Sequence, residues 1–191
     1  MADTLVEALP KIMNRGVQLA VLGTGDCACE NKFREAAGRH SGQLAVRIGY
    51  AEALAHRFHG GADILLHPAR FEPCGLTQLY AMRYGTLPIG RRVGGLADTI
   101  IDASNGNLEH GKANGFTFEE PTGEDLISGL DRALSFYGRP AWRAMQRRAM
   151  HQDFGWTQSA KRYIELYNGV APDAAIDTSG SCEEPVERLA S

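Results

Sequence analysis

Apolar positions along this chain switch between stripes at helical spacing and short continuous runs. Leu5, Val6, Leu9, Ile12 and Met13 recur at helical spacing, so a helix is under way almost from residue 1, with Gly16 as its stop. "VQLAVLG" (17–23) then predicts a short strand, apolar and closed by glycine. "ENKFREAAGRH" (30–40) predicts a polar-faced helix, "QLAVRIG" (43–49) a second strand, and "AEALAHRFHGG" (51–61) a helix closed by Gly60 and Gly61. "DILLHP" (63–68) predicts a third strand, "LTQLYAMRYG" (76–85) a helix ended by glycine, "TLPIG" (86–90) a fourth strand and "GFTF" (115–118) a fifth. Beyond residue 120 the pattern is helical. One helix starts after Thr122, an N-cap with Asp125 in the place of a capping-box acid; a second covers 139–150 and a third 156–169. The tail, 171–191, is small, polar and acidic, and is expected to be disordered.

Strands alternating with helices at this pitch mean parallel βαβ units with right-handed crossovers and helices on both faces. The strands are apolar on consecutive residues, as burial of both faces requires. The expected fold is α/β, a doubly wound, Rossmann-like parallel sheet with a helical C-terminal end. Such a sheet opens with a strand whose βα turn presents backbone amides to a phosphate. This chain opens on a helix, so residues 1–170 read as one domain that lacks its first strand.

Charge and composition narrow the partners. Twenty basic residues against 23 acidic leave a net charge of −3, with no broad positive field to collect nucleic acid. No run approaches the roughly 20 apolar residues that span a bilayer. The start lacks a signal peptide's basic end and continuous apolar core. No membrane partner is expected, and the location expected is cytoplasmic. Cysteines 27, 29, 74 and 182 and the six histidines show no metal-ligand spacing, so reduced thiols, no metal and no cofactor are expected.

The chemistry gathers in "HPARFEPCGLTQ", after the third strand. Ligands of an open parallel sheet bind outside the carboxyl ends of its strands. Gly75 lets the backbone come close to a ligand. The free N–H groups of the helix that starts near Leu76, and its dipole, favour an anion, and Thr77 can add a hydroxyl. Glu72 can accept hydrogen bonds from the hydroxyls of a sugar. Together these suggest a sugar held next to a phosphate. On the competing reading, Glu72 only complements the helix dipole. His67 and Arg70 read equally as site residues or as rim residues that orient the loop.

"ARFEPCGLTQLYAMRYGTLPIGRRVGGLADTI" strongly resembles the bacterial glycogen synthases and plant starch synthases. The likeness continues through "LVEALP…QLAVLGTGD", "RIGYAEALAHRFHGGADILLHPARFEPCG", "NGFTFEE" and "FGWTQSAKRYIELY", covering about residues 5–168. The resemblance implies a GT-B fold, two Rossmann-like domains facing a cleft, of which this chain would be the C-terminal, donor-binding one. It implies transfer of glucose from ADP-glucose to the 4-hydroxyl of an α-1,4-glucan such as glycogen, with retention and without metal. Glu72 matches the glutamate that contacts the glucosyl hydroxyls and can stabilise an oxocarbenium-like transition state. Gly75, Leu76 and Thr77 match the sugar and diphosphate contacts.

Tyr50 matches the aromatic that stacks on adenine; as a plain residue it is a helix-entry packing group. Cys74 matches the cysteine beside the pocket; a small buried filler is the plainer reading. Gly94 and Gly95 resemble the related loop. Arg91 and Arg92 face phosphate or glucan, or form a solvated surface pair. Tyr80 stands where related transferases carry a second glutamate, which separates subgroups. In the family the C-terminal helix leans on the other domain, which would leave Trp156, Tyr163 and Tyr167 partly exposed; alternatively they pack on this domain's own sheet. The family's lysine-rich motif, its first-domain catalytic groups and its Arg/Lys pair have no counterpart here. The expectation is therefore a truncated glycogen synthase, inactive by itself. The alternatives are a UDP-sugar-dependent transferase and a non-catalytic module that binds a nucleotide sugar.

Overall fold

The computed structural model describes residues 1–170, so the tail expected to be disordered, with Cys182, lies outside the described residues. These fall into two units, one spanning Met1–Gln152 and one from Asp153 onward. In the first, helix α1 (Ala2–Met13) turns Ala8, Leu9, Ile12 and Met13 inward and packs on α2 (Cys27–Arg39) and α7 (Gly123–Phe136). Asp26 caps α2 by accepting from the N–H of Cys29 at 2.9 Å.

Strands β1 (Leu19–Gly23) and β2 (Leu44–Ile48) pair in parallel, with Leu19 opposite Leu44. Helix α3 (Glu52–Gly61) leads into β3 (Ile64–His67), and α4 (Thr77–Tyr84) leads into β4 (Leu87–Arg91). β4 pairs in parallel with β3 on one edge and with β5 (Phe116–Phe118) on the other. The α/β class and the parallel pairing are those expected. The strands do not form one continuous sheet: β1–β2 and β3–β4–β5 are separate hydrogen-bonded sheets. β1 and β3 share no ladder, and among the described residues no strand pairs with the second edge of either. One apolar core still runs through both halves, from Phe33 and Leu44 to Leu87, Ile89, Phe116 and Trp142.

Two short helices, α5 (Gly94–Thr99) and α6 (Asn105–Glu109), lie where no element was expected. Their glycine- and asparagine-rich composition disfavours helix. Burial of Leu96 holds the first, and a Ser104 cap holds the second. Thr122 caps α7, accepting from the N–H of Asp125 at 3.2 Å. The Asp125 carboxylate does not close a capping box; it accepts from the N–H of Glu120 at 2.7 Å and of Glu119 at 3.3 Å. Helix α8 (Pro140–His151) has proline in its first turn and buries Trp142, Met145 and Ala149. In the second unit, α9 (Trp156–Val170) has no buried residue, and Trp156, Tyr163 and Tyr167 are all exposed. No helix among the described residues is long and apolar enough to cross a membrane.

Candidate functional site

Three strands, β3, β4 and β5, end their carboxyl edges close together, and the loop 68–76 starts from the first of them. The Glu72 side chain is 26% exposed, neither buried nor free in solvent. Its Oε2 lies 3.6 Å from Nε2 of His67, the last residue of β3. Burial lowers the His67 pKa from the ordinary imidazole value, against the opposing pull of the Glu72 carboxylate.

Beyond Glu72 the chain turns at Gly75, whose φ of +74° is left-handed. Helix α4 begins two residues later with Leu76 at its N-cap and no side-chain cap. Its first-turn N–H groups have no intrahelical acceptor. Among the described residues no acceptor bonds the N–H of Gly75, Leu76 or Thr77. Leu76 and Thr77 are exposed. The arrangement is a carboxylate beside a set of open amides at the mouth of a parallel sheet.

Glycines explain how α5 reaches this loop. Gly95 N–H donates to the Glu72 carbonyl at 2.8 Å. A Cβ at Gly94 would come 2.2 Å from that carbonyl oxygen, and one at Gly95 would come 2.1 Å from the Cys74 oxygen. Gly94 and Gly95 thus pack against the backbone of the loop that carries Glu72. Cys74 is exposed, which corrects its reading as a buried filler: the loop turns its side chain outward, with Sγ 3.9 Å from the Gly75 oxygen.

Gln78 is the residue that sequence reasoning missed. It is fully buried, and its Nε2 donates to the carbonyls of Cys74 at 2.9 Å and Gly75 at 2.7 Å, with Thr99 Oγ1 at 3.3 Å. Its Oε1 is buried without a partner. A Cβ at Gly75 would lie 2.4 Å from that atom, so position 75 tolerates no side chain while Gln78 holds the turn. The signal was available: Gln78 shares the buried face of α4 with Ala81 and Met82, and a buried amide needs partners.

Arg70 turns away from this cluster. Its guanidinium binds Asp3 at 2.5 Å and 3.2 Å, and that bond holds the Asp3 carboxyl at a pKa of about 2. Arg91 is no solvated surface residue. It donates to the Arg70 carbonyl at 2.7 Å and the Glu119 carbonyl at 2.9 Å, fastening the loop to the end of β5, because the loop's carbonyls need donors. Arg92 is the exposed one, paired with Glu119 at 3.1 Å. Tyr50, just past β2, is 87% exposed and makes no hydrogen bond or ring contact among the described residues. Tyr80 flanks His56, ring centroids 5.7 Å apart, on the α3–α4 surface.

Residues 1–135 match the family model described as "Glycosyl transferases group 1". The chain belongs to this glycosyltransferase family. It is similar to the catalytic domain of Starch Synthase IV from Arabidopsis thaliana bound to ADP and acarbose, at 30% identity and a TM-score of 0.77 over 88% of this chain. It spans 35% of that chain. A glycosyltransferase from Rickettsia africae ESF-5 matches at 20% identity and TM-score 0.67, over 91% of this chain and 45% of that one. A sucrose-phosphate synthase from Thermosynechococcus elongatus matches at 21% and 0.61, over 91% and 43%. The last two identities speak for the fold alone. The group 1 glycosyltransferase match and the parallel-strand α/β architecture agree with a Rossmann-like half of a GT-B fold.

Proposed function

We propose that this glycosyltransferase chain is the donor-binding part of a retaining glucosyltransferase that extends an α-1,4-glucan from ADP-glucose, as glycogen and starch synthases do. One observation carries the reading: the half-covered Glu72 carboxylate stands beside the uncapped start of α4 at the carboxyl end of β3. A hydroxyl-rich sugar suits the carboxylate, and a diphosphate suits open amides at a positive helix end. The ADP bound to the starch synthase relative supports the nucleotide.

In this reading Glu72 accepts hydrogen bonds from the glucosyl hydroxyls. Its charge stabilises the positive charge that grows at the anomeric carbon as the bond to ADP breaks. The backbone of Gly75 and Leu76 and the Thr77 amide and hydroxyl hold the diphosphate leaving group. The anomeric carbon bonds to the 4-oxygen of the glucan as its bond to ADP breaks, and the proton of that hydroxyl leaves on the departing ADP phosphate. Tyr50, exposed as it is, is free to stack on adenine, and Cys74 lines the turn. A facing domain supplies the glucan site and closes the cleft, and dry closure is what makes such charge stabilisation strong.

Calorimetry with ADP-glucose, UDP-glucose and ADP tests the donor. ADP-glucose is expected to bind most tightly, and radiolabelled transfer to glycogen by the chain by itself is expected to be undetectable. Preference for UDP-glucose, or transfer by this chain, contradicts the proposal.

A further inference from the structure

We infer that His67 is a positioning residue for Glu72, its ring Nε2–H facing the carboxylate and so deciding which oxygen is left for the sugar. The inference rests on the donor reading above. The two side chains are mostly covered, 17% and 26% exposed, and meet Nε2 to Oε2 at 3.6 Å. The other ring nitrogen, Nδ1, is buried with no partner.

That orphan atom sorts the three states of the ring. A proton on Nδ1 buries an unpartnered N–H and sets the Nε2 lone pair against a carboxylate oxygen. A doubly protonated ring buries the same N–H and a charge besides. A proton on Nε2 alone leaves only a lone pair unmatched, the least costly of the three. Burial lowering the ring's pKa agrees with a neutral imidazole. The 3.6 Å contact is longer than a hydrogen bond, and contacts of this kind tighten when ligand arrives.

The fold explains why the ring sits there. His67 is in register with Gly90 of β4, and in-register parallel partners share a face. A Cβ at Gly90 would meet Ile100 and Leu96, so that face is the one α5 covers. Gly95 of α5 in turn bonds the Glu72 carbonyl. The imidazole therefore lies beneath the loop that carries Glu72. It ends an otherwise aliphatic strand, "ILLH", where an apolar side chain would satisfy burial equally well. As the contact tightens, Oε2 is taken by the ring and Oε1 is the acceptor left for the donor sugar.

The test pairs nitrogen NMR of the imidazole with calorimetry on the full 191-residue chain. At neutral pH the wild-type ring is expected to be neutral with its proton on Nε2, and its Nε2 signal is expected to move in Glu72→Gln. His67→Val is expected to bind ADP-glucose about tenfold more weakly, the loss of one charge-assisted contact. ADP, which lacks the sugar, is expected to bind it unchanged. His67→Gln, which keeps an N–H donor, is expected to recover most of the loss. A ring protonated on Nδ1, or charged at neutral pH, overturns the pairing whatever binds. Equal losses for ADP and ADP-glucose overturn the positioning role in favour of a structural one. A wild-type chain with the expected ring state that binds ADP-glucose no better than ADP overturns the donor reading, and the sugar-side role of His67 with it.

Discussion

Strands β1 and β4 are almost equally apolar, yet they meet different fates. β1, Leu-Ala-Val-Leu-Gly, has no fully buried residue, and its Ala20 is exposed. β4, Leu-Pro-Ile-Gly-Arg, buries its first four residues, Leu87 and Ile89 completely. The difference lies in neighbours. β4 is paired on both edges and packed by α4, α5, α7 and α8, whereas among the described residues β1 is paired only with β2. An apolar run records how much burial a strand is suited to; edges and covering helices decide how much it receives. The candidate site stands on the better-held half, in the loop between β3 and α4.

The largest expected effect sharpens that contrast with one substitution made twice. Leu87→Ala in β4 empties a fully buried site and is expected to cost about 2–5 kcal/mol. Leu22→Ala in half-covered β1 is expected to cost about 1 kcal/mol. Urea unfolding measures both, and equal costs would break the comparison.

Next comes a pair of glycines. Gly95→Ala forces a methyl group against the Cys74 carbonyl, so the turn at 72–75 must shift, and binding of ADP-glucose is expected to fall at least about tenfold. Gly25→Ala, in the loop after β1, meets nothing within 4 Å and is expected to leave binding unchanged. Calorimetry that finds the two variants alike removes the distinction between the regions.

The smallest effect belongs to an exposed tie. Arg70 holds the Asp3 carboxyl near a pKa of about 2, below its ordinary value. A depressed carboxylate contributes its stability above the ordinary carboxylate range and loses it as pH falls through about 2. Arg70→Ala is expected to raise the Asp3 midpoint, followed by carboxyl NMR, toward the ordinary range, and to lower the unfolding midpoint at neutral pH only slightly, because the pair is exposed and screened. An unchanged Asp3 midpoint would show that the pair does not form in solution.

Much of this was legible in the chain. Short continuous apolar runs and stripes of period 3.6 located every described strand and most described helices to within a few residues, because burial of both strand faces or of one helix face leaves a direct trace. Helices α5 and α6 were not legible, since tertiary contacts at Leu96 and a Ser104 cap hold segments of poor propensity. The division into two sheets was not legible either: apolar runs do not say which strand edges will meet. At the site, the carboxylate, the turn and the open helix start were visible as residue types after a strand. The bracing by Arg91 was not, because it works through backbone carbonyls that carry no sequence signature, and that by Gln78 showed only as an amide on the buried face of α4.

Amide NMR of the nitrogen-labelled chain during titration with ADP-glucose reaches the central claim most directly. The account predicts saturable shifts at Gly75, Leu76 and Thr77, weakened in Glu72→Gln. Shifts confined to other parts of the chain, with those three amides unmoved at saturation, would contradict it.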